Sequence, residues 1–489
     1  MRSSAFAVCL LVFAVPVLAQ PAFPSPTVSP NIPPDVNTPF PTVAPNLPYF
    51  DDFSWQEFIG FTWPARTSAS SPYSRGIADT TKRYGDTTGP LVWQTLKSDY
   101  ELFLPGGATP AAWNSYNSPS PCGGTLIPYQ TILASFDKYH GFNQAGFGVD
   151  AGPLISQNAQ YVRYETRVNM PEYNFILNPG SPWPGPLYLA KNLPNGTIPA
   201  LKFPTGSIEI KAGWRNLAGV PPAQQATYFQ TQAQLLDPVS GICSSATLGL
   251  VALHIINKTA KFPNWVWSTF EHIDNVPAIT GETPYGAPPY GFNDNNPANQ
   301  KISPMGKPIS KCNPPLPKPT PTQVIRLRRI AASTQTTNSM YHADSRLAGT
   351  VWQNYQLVMT QWPINGGAST FPSTTQPVPQ TNTANVAAET WFQASTATGC
   401  MACHQVATNN AKTDFVWFLP LGAYNPDAPV PPCQEVNSFT LANRKLAMQA
   451  QAKQPKGVKA KAPARTDHEV AIDALKAFFK SHPPQTTKQ

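Results

Sequence analysis

Apolar and polar residues alternate in the middle of the chain in the way that is typical of β-strands. Residues 207–214 alternate, residues 355–362 alternate again, and residues 247–259 form a longer run rich in Leu, Val and Ile. Alternation indicates a strand with one buried face, whereas a continuous apolar run indicates a strand buried on both faces. We therefore expect a sheet that contains these three strands, with 247–259 in its interior.

A capping pattern predicts the first helix. Ser54 and Glu57 have the spacing of a capping box, and Phe53 can pack on Phe58 as a hydrophobic staple. The helix is expected to begin here and to stop before Pro64.

Further helices are predicted at three places. Residues 92–103 carry apolar side chains at helical spacing, namely Trp93, Leu96, Tyr100 and Phe103. Asn385 can cap a helix that ends at Gly399, and Asp467 can cap a helix over 469–480. Together with the strands, these patterns predict the α+β class, with a β-rich N-terminal domain followed by a small helical segment.

Composition sets the expected domain boundaries. The 57 prolines, the 12% of charged residues and the 11% of aromatic residues favour short strands and long ordered loops. Residues 20–48 are proline-rich and almost uncharged, which predicts a flexible spacer without a core. Residues 366–383 are rich in Ser, Thr, Gln and Pro, which predicts a linker between a domain at 49–365 and a segment at 384–489.

The net charge of +8 belongs almost entirely to the C-terminal tail. Residues 441–489 contain ten Lys or Arg and three Asp or Glu, which leaves about +1 for the rest of the chain. Such a tail can draw an acidic redox partner or an anionic envelope surface electrostatically, or it can be a solvated spacer. Both interpretations stay open at this point.

The N-terminus has the pattern of an export signal. Arg2 is followed by an apolar run at 5–18 and a small residue, Ala19, so residues 1–19 are expected to be cleaved before Gln20. No later stretch approaches the length needed to cross a bilayer, so no transmembrane anchor is expected. A periplasmic or secreted bacterial location follows, and export disfavours a nucleic-acid partner.

Cys400-Met401-Ala402-Cys403-His404 has the C-x-x-C-H spacing at which haem c is attached covalently. Two thiols add to the haem vinyl groups, and the imidazole of His404 is the expected proximal ligand of the iron. A redox pair does not need the histidine, and structural zinc needs further ligands, of which the nearest later cysteine is Cys433. One motif predicts one covalent haem.

The remaining cysteines fit an oxidising compartment. Cys9 leaves with the signal peptide, so four thiols remain outside the haem motif and permit two disulfides; they are Cys122, Cys243, Cys312 and Cys433. Three pairings are possible, and the sequence does not choose among them.

The distal side of the haem iron has three candidate ligands. His254 lies in an apolar strand, where a core histidine bonded to backbone is the alternative role. His272 follows two tryptophans and is expected in a loop, where it can also stabilise a turn. Met448 has a suitable sequence distance but belongs to a basic helix pattern. Either histidine can instead act as an acid–base group beside an open iron site.

Two segments resemble the large secreted monohaem proteins of the bacterial cytochrome c family: Gly399–His404 and Trp265–Asn275. The resemblance implies one haem c and brings no defined activity with it. The helix before the motif and the one at the terminus resemble the crossing helices of class I cytochromes c. In that family a methionine ligand lies in a proline-bounded loop, whereas here residues 446–465 are rich in Ala, Lys and Gln.

These features predict an exported monohaem protein that transfers single electrons to or from an unidentified redox partner. The alternative is a haem enzyme of peroxidase, oxidase or oxygenase type, whose small-molecule substrate binds the N-terminal domain. A third hypothesis is a binding protein that uses haem as its sensor. The length of 489 residues favours more than a carrier, while the lack of a recognisable catalytic motif favours electron transfer.

Overall fold

The computed structural model describes residues 23–38, 47–102, 104, 109–133, 153–177, 202–237, 242–279, 282, 286–299, 301–302, 319–363, 377–378, 383–393, 399–401, 404, 407 and 414–418. The strands are β1 (Lys97–Ser98), β2 (Thr131–Leu133), β3 (Arg163–Val168), β4 (Ile208–Asn216), β5 (Gln230–Leu236), β6 (Cys243–Asn257), β7 (Val266–His272), β8 (Tyr355–Pro363) and β9 (Pro377–Val378). The α-helices are α1 (Leu47–Phe61), α2 (Asp99–Leu102), α3 (Met170–Leu177), α4 (Pro222–Gln225) and α5 (Ala332–Ala343).

The strands of this part of the chain form one mixed sheet. Its main path runs β1-β3-β4-β6-β7-β8-β9, and β5 pairs with the first half of β6 and carries β2. All pairs are antiparallel except β2 with β5. The α+β class predicted from the sequence is confirmed.

The two strands predicted from alternation are confirmed as β4 and β8, and the strand predicted from a continuous apolar run is confirmed as β6. From Leu248 onward β6 is buried on both faces, apart from His254, which is partly exposed. The sequence analysis missed β3, β5 and β7. Their patterns are short and rich in polar residues, and neighbouring strands supply the hydrogen bonds that make them strands.

Helix α1 ends before Pro64 as predicted, but it begins at Leu47, so the predicted capping box is wrong. Ser54 and Glu57, the two residues of the predicted capping box, lie inside the helix, and their side chains contact the sheet. The Ser54 hydroxyl is 2.7 Å from that of Ser268, and Glu57 accepts a hydrogen bond of 2.6 Å from the Asn257 amide. These two side chains therefore bind groups on the sheet and not the backbone N–H groups at the start of a helix.

The predicted helix over 92–103 is also wrong. The chain forms a 3₁₀ turn at Trp93–Thr95, then β1 and then α2, while Phe103 lies outside the described residues. The reason is that distant side chains bind the carbonyl groups that a helix would use. Arg167 donates to the carbonyls of Gln94 and Leu96 at 2.6 and 3.1 Å.

Asn385 does not begin an α-helix, which corrects the prediction for this segment. Its Oδ1 accepts hydrogen bonds from the backbone N–H of Ala387 and Ala388 at 3.0 and 3.2 Å, so it caps a turn. One 3₁₀ turn, Thr390–Phe392, follows. The predicted helix over 469–480 lies outside the described residues.

The two faces of the sheet are covered by different parts of the chain. Helices α1 and α5 pack on one face through an aromatic cluster that includes Trp55, Phe58 and Phe270. On the other face, Val386 to Ala388 pack against Tyr164, and Met401, Phe415, Val416 and Phe418 pack with Ile256 and Trp267. The described residues of the segment 384–489 therefore lie on the sheet, and no separate helical haem segment is seen among them.

Residues 23–38 contain no helix or strand, and they contribute to the core. Val36 is fully buried in a cluster with Leu47, Phe50 and Trp362, and the Thr27 N–H lies 3.3 Å from the Tyr341 hydroxyl. None of the helices in the described ranges is long and apolar enough to cross a membrane.

One of the possible disulfides is formed. Cys122 and Cys243 are bonded, and the loop they close spans 121 residues. Cys312 and Cys433 lie outside the described residues, as do the predicted signal peptide and most of the predicted linker.

Candidate functional site

Two rows of side chains cross the sheet on the face that carries the C-x-x-C-H motif. Residues directly opposite one another in a sheet share a face. The first row is Lys211, His254, Thr269 and Met359, and the second is Glu209, Ile256, Trp267 and Gln361. The rows are two residues apart along each strand, a distance of roughly 7 Å.

The start of the C-x-x-C-H motif contacts the second row. The Met401 N–H donates to Gln361 Oε1 at 3.1 Å. Gly399 has a φ of +111°, and a Cβ atom at this position would lie 2.7 Å from Gln361 Nε2, so only glycine fits here. Cys400, Met401 and His404 have helical backbone conformation.

The His404 imidazole is held by the backbone of the following loop. Its Nδ1 is 2.5 Å from the carbonyl oxygen of Phe415, and its ring centroid is 5.7 Å from that of Trp267. Burial lowers the pKa of His404 to about 4, and the charge of Lys211 adds to this effect. A neutral imidazole that donates from Nδ1 leaves Nε2 as its lone-pair atom. Cys403 lies outside the described residues.

His254 belongs to the first row of side chains, lies near His404 and faces an acidic side chain. Its Nε2 is 3.3 Å from Glu389 Oε1, without the alignment of a hydrogen bond, and the two side chains are 17% and 22% exposed. Burial lowers the pKa of His254 well below its ordinary value, the positive charge of Lys211 lowers it further, and an electrostatic interaction with the nearby His404 acts in the same direction. Burial raises the pKa of Glu389 to about 7. The structure therefore brings His254 and His404 together.

His272 lies elsewhere and has other partners. It is the last residue of β7 and fully buried, so the prediction that it lies in a loop is wrong. Its Nε2 is 2.9 Å from the Thr227 carbonyl oxygen, its Nδ1 accepts from the Asp274 N–H at 3.1 Å, and its ring stacks on Tyr228 at 4.0 Å. Burial lowers the pKa of His272 to about 3. The turn-stabilising role weighed in the sequence analysis fits these contacts.

Met448, one of the predicted distal ligands, lies outside the described residues. The structure shows another methionine, Met359, near the C-x-x-C-H motif. Met359 is buried in the same row as His254, and Cys400 packs against the cluster of Ile330, Val358 and Met359. Sequence reasoning missed Met359, Lys211 and Glu389. Alternation along β8 placed Met359 and Gln361 on one face, but the pattern does not tell which face of the sheet the C-x-x-C-H motif covers.

Within the described ranges, no group of three or more His, Cys, Asp or Glu side chains is placed to hold a metal ion. Comparison of the chain with models of known protein families, with curated proteins and with solved structures finds no match.

Proposed function

We propose that this protein is an exported monohaem c-type cytochrome that transfers single electrons. Cys400 and Cys403 would hold the haem covalently, and His404 would be its proximal iron ligand. A haem bound there supplies an iron that cycles between Fe(III) and Fe(II). The basic tail at 441–489 is the part of the chain suited to an acidic redox partner.

The observation that carries the proposal is the contact between His404 Nδ1 and the Phe415 carbonyl. Histidines that bind metals almost always donate their other ring N–H to a carboxylate, a carbonyl or water, which fixes the ring and raises the basicity of the ligand. His404 has this arrangement and is neutral at pH 7, as a ligand must be.

The surroundings of His404 also fit a haem. Trp267, Phe415 and Met401 are buried beside it and form an apolar wall that excludes water. The buried indole Nε1 of Trp267 has no hydrogen-bond partner. Acceptor oxygens such as those of the haem propionates would satisfy this donor.

The test is covalent haem staining of the full chain, expressed with the c-type maturation machinery and separated on denaturing gels. We expect the wild type to stain and Cys400→Ala and Cys403→Ala to lose most of the stain. Met401→Leu is the matched control inside the motif, because it conserves volume and removes no attachment group. A wild-type chain that does not stain would refute the proposal.

The His254–Glu389 contact favours a second candidate function, a haem enzyme of peroxidase, oxidase or oxygenase type. A neutral imidazole beside a carboxyl group with a pKa of about 7 is suited to accept and return a proton. Optical and EPR spectra with and without CO or cyanide separate the two functions. A low-spin iron that binds neither ligand supports the carrier, and a ligand-accepting iron supports the enzyme.

A further inference from the structure

We infer that Lys258, Asp414 and Trp265 are positioning residues that fix the His404 imidazole through the Phe415 carbonyl, and this rests on the proposed function. The chain of contacts begins at His404, whose Nδ1 is 2.5 Å from the Phe415 oxygen. The orientation of the imidazole therefore depends on what holds the peptide at 414–415.

Two side chains from the loop between β6 and β7, together with one backbone N–H from the segment before β4, hold that peptide. The Trp265 indole N–H donates to the Asp414 carbonyl at 2.8 Å. The Asp414 carboxylate accepts from the Phe203 N–H at 2.8 Å and from the Lys258 ammonium at 2.7 Å. Lys258 also donates to the Pro263 carbonyl at 2.5 Å. The Lys258 and Asp414 side chains are 2% and 1% exposed, so their charges have no access to water.

Backbone strain concentrates at the same contacts. Asp414, Phe415 and Trp265 have φ angles of +53°, +68° and +71°, in the left-handed region that non-glycine residues seldom occupy. Such conformations cost free energy and persist only where surrounding contacts impose them. Here the strained peptide bears the carbonyl that binds His404, which indicates that the strain serves the orientation of that ring.

Another acidic group, Glu172, interacts electrostatically with Asp414. It is fully buried, and burial together with the charges of Glu209 and Asp414 raises its pKa well above the ordinary value. Burial therefore favours the neutral form of Glu172, while Asp414 has the Lys258 ammonium group as its partner.

A positioning role and a purely electrostatic role predict different redox potentials. If the two charges acted only through the field, Asp414→Asn would raise the midpoint potential and Lys258→Met would lower it. If they act by positioning, each variant weakens the Nδ1–H bond and the basicity of the imidazole, so Fe(III) is less stabilised and both variants raise the potential. For the double variant, a purely electrostatic role predicts the wild-type midpoint potential. A positioning role predicts a midpoint potential that stays above the wild-type value.

We propose to measure the midpoint potentials of the haem-loaded wild type, both single variants and the double variant. Lys82→Met combined with Asp86→Asn is the matched control, because it removes an exposed ion pair of the same type. Where a single variant fails to fold because it leaves one buried charge alone, the double variant carries the test, since it leaves none. Potentials that move in opposite directions, or that equal the wild-type value in all variants, would overturn the inference.

A second readout does not depend on haem. In the full chain with Cys400→Ala and Cys403→Ala, nitrogen NMR of labelled histidine reports the tautomer of His404. We expect a lower fraction of the Nδ1–H form after Asp414→Asn and an unchanged fraction in the control. An unchanged tautomer would overturn the inference even if haem attachment is confirmed, and a wild type without haem would refute the proposed function while this readout still decides the positioning role.

Discussion

Two buried carboxyl groups between helix α1 and the sheet should make the protein lose stability as the pH rises. Glu57 accepts from Asn257 at 2.6 Å, and Asp51 accepts from Thr334 and Thr360 at 2.7 Å each. Both are fully buried, and burial raises the pKa of Glu57 to about 8 and that of Asp51 to about 7.

The direction of this pH dependence follows from the number of protons that the folded and the unfolded states bind. In the unfolded chain these groups have ordinary pKa values of 4.5 and 3.8, so between about pH 4 and pH 8 the folded state holds more protons. The stabilisation is complete below pH 4 and is lost as the pH rises through the folded pKa values. At about 1.4 kcal/mol per pH unit, the interval for Glu57 corresponds to at most roughly 5 kcal/mol.

Glu57→Gln tests this dependence. The amide keeps the shape and the acceptor for Asn257, but it carries no proton that is lost at high pH, so the free energy of unfolding should fall less between pH 5.5 and 9 than in the wild type. Asp86→Asn, at an exposed carboxylate, is the control and should leave the slope as it is. The assay is urea unfolding followed by tryptophan fluorescence at several pH values. The same slope in Glu57→Gln and in the wild type would refute the reasoning.

Three further predictions concern single sites. Replacing Cys122 and Cys243 by Ala should cost roughly 2–5 kcal/mol, and an unchanged urea midpoint would contradict the bond as a source of stability. Glu172→Met should raise the free energy of unfolding by about 1–3 kcal/mol, because neither carboxyl oxygen has a hydrogen-bond partner; a lower free energy of unfolding in this variant would contradict the prediction. Gly399→Ala should lower covalent haem attachment, because a φ of +111° is strained for alanine and the new Cβ also meets Gln361, and full staining of that variant would contradict the prediction.

The strands β4, β6 and β8 could be predicted from the sequence because their periodicity is a local property. An alternating or continuous apolar pattern is complete within a few neighbouring residues, and the burial of those apolar side chains then selects the strand conformation. The C-x-x-C-H motif is equally local, since both thiols and the imidazole come from five consecutive residues.

Local patterns failed where distant groups took over the backbone or the side chains. Arg167 binds the carbonyls that a helix over 92–103 would use, and Asn257 takes the Glu57 carboxyl group that a capping box would use. Neither partner is near in sequence, so neither could be inferred from the pattern.

The candidate site was half determined by the sequence. The sequence supplied His404 as the expected proximal ligand and His254, His272 and Met448 as candidate distal groups, and it left the disulfide pairing open. Only the register of β6 against β4 and β7 places His254 in the row beside Trp267, and only the fold pairs Cys122 with Cys243. The Lys258–Asp414 pair joins residues 156 positions apart. Local chemistry is fixed by neighbours along the chain, whereas strand register and contacts between elements are fixed by the packing of the whole sheet, which no short pattern contains.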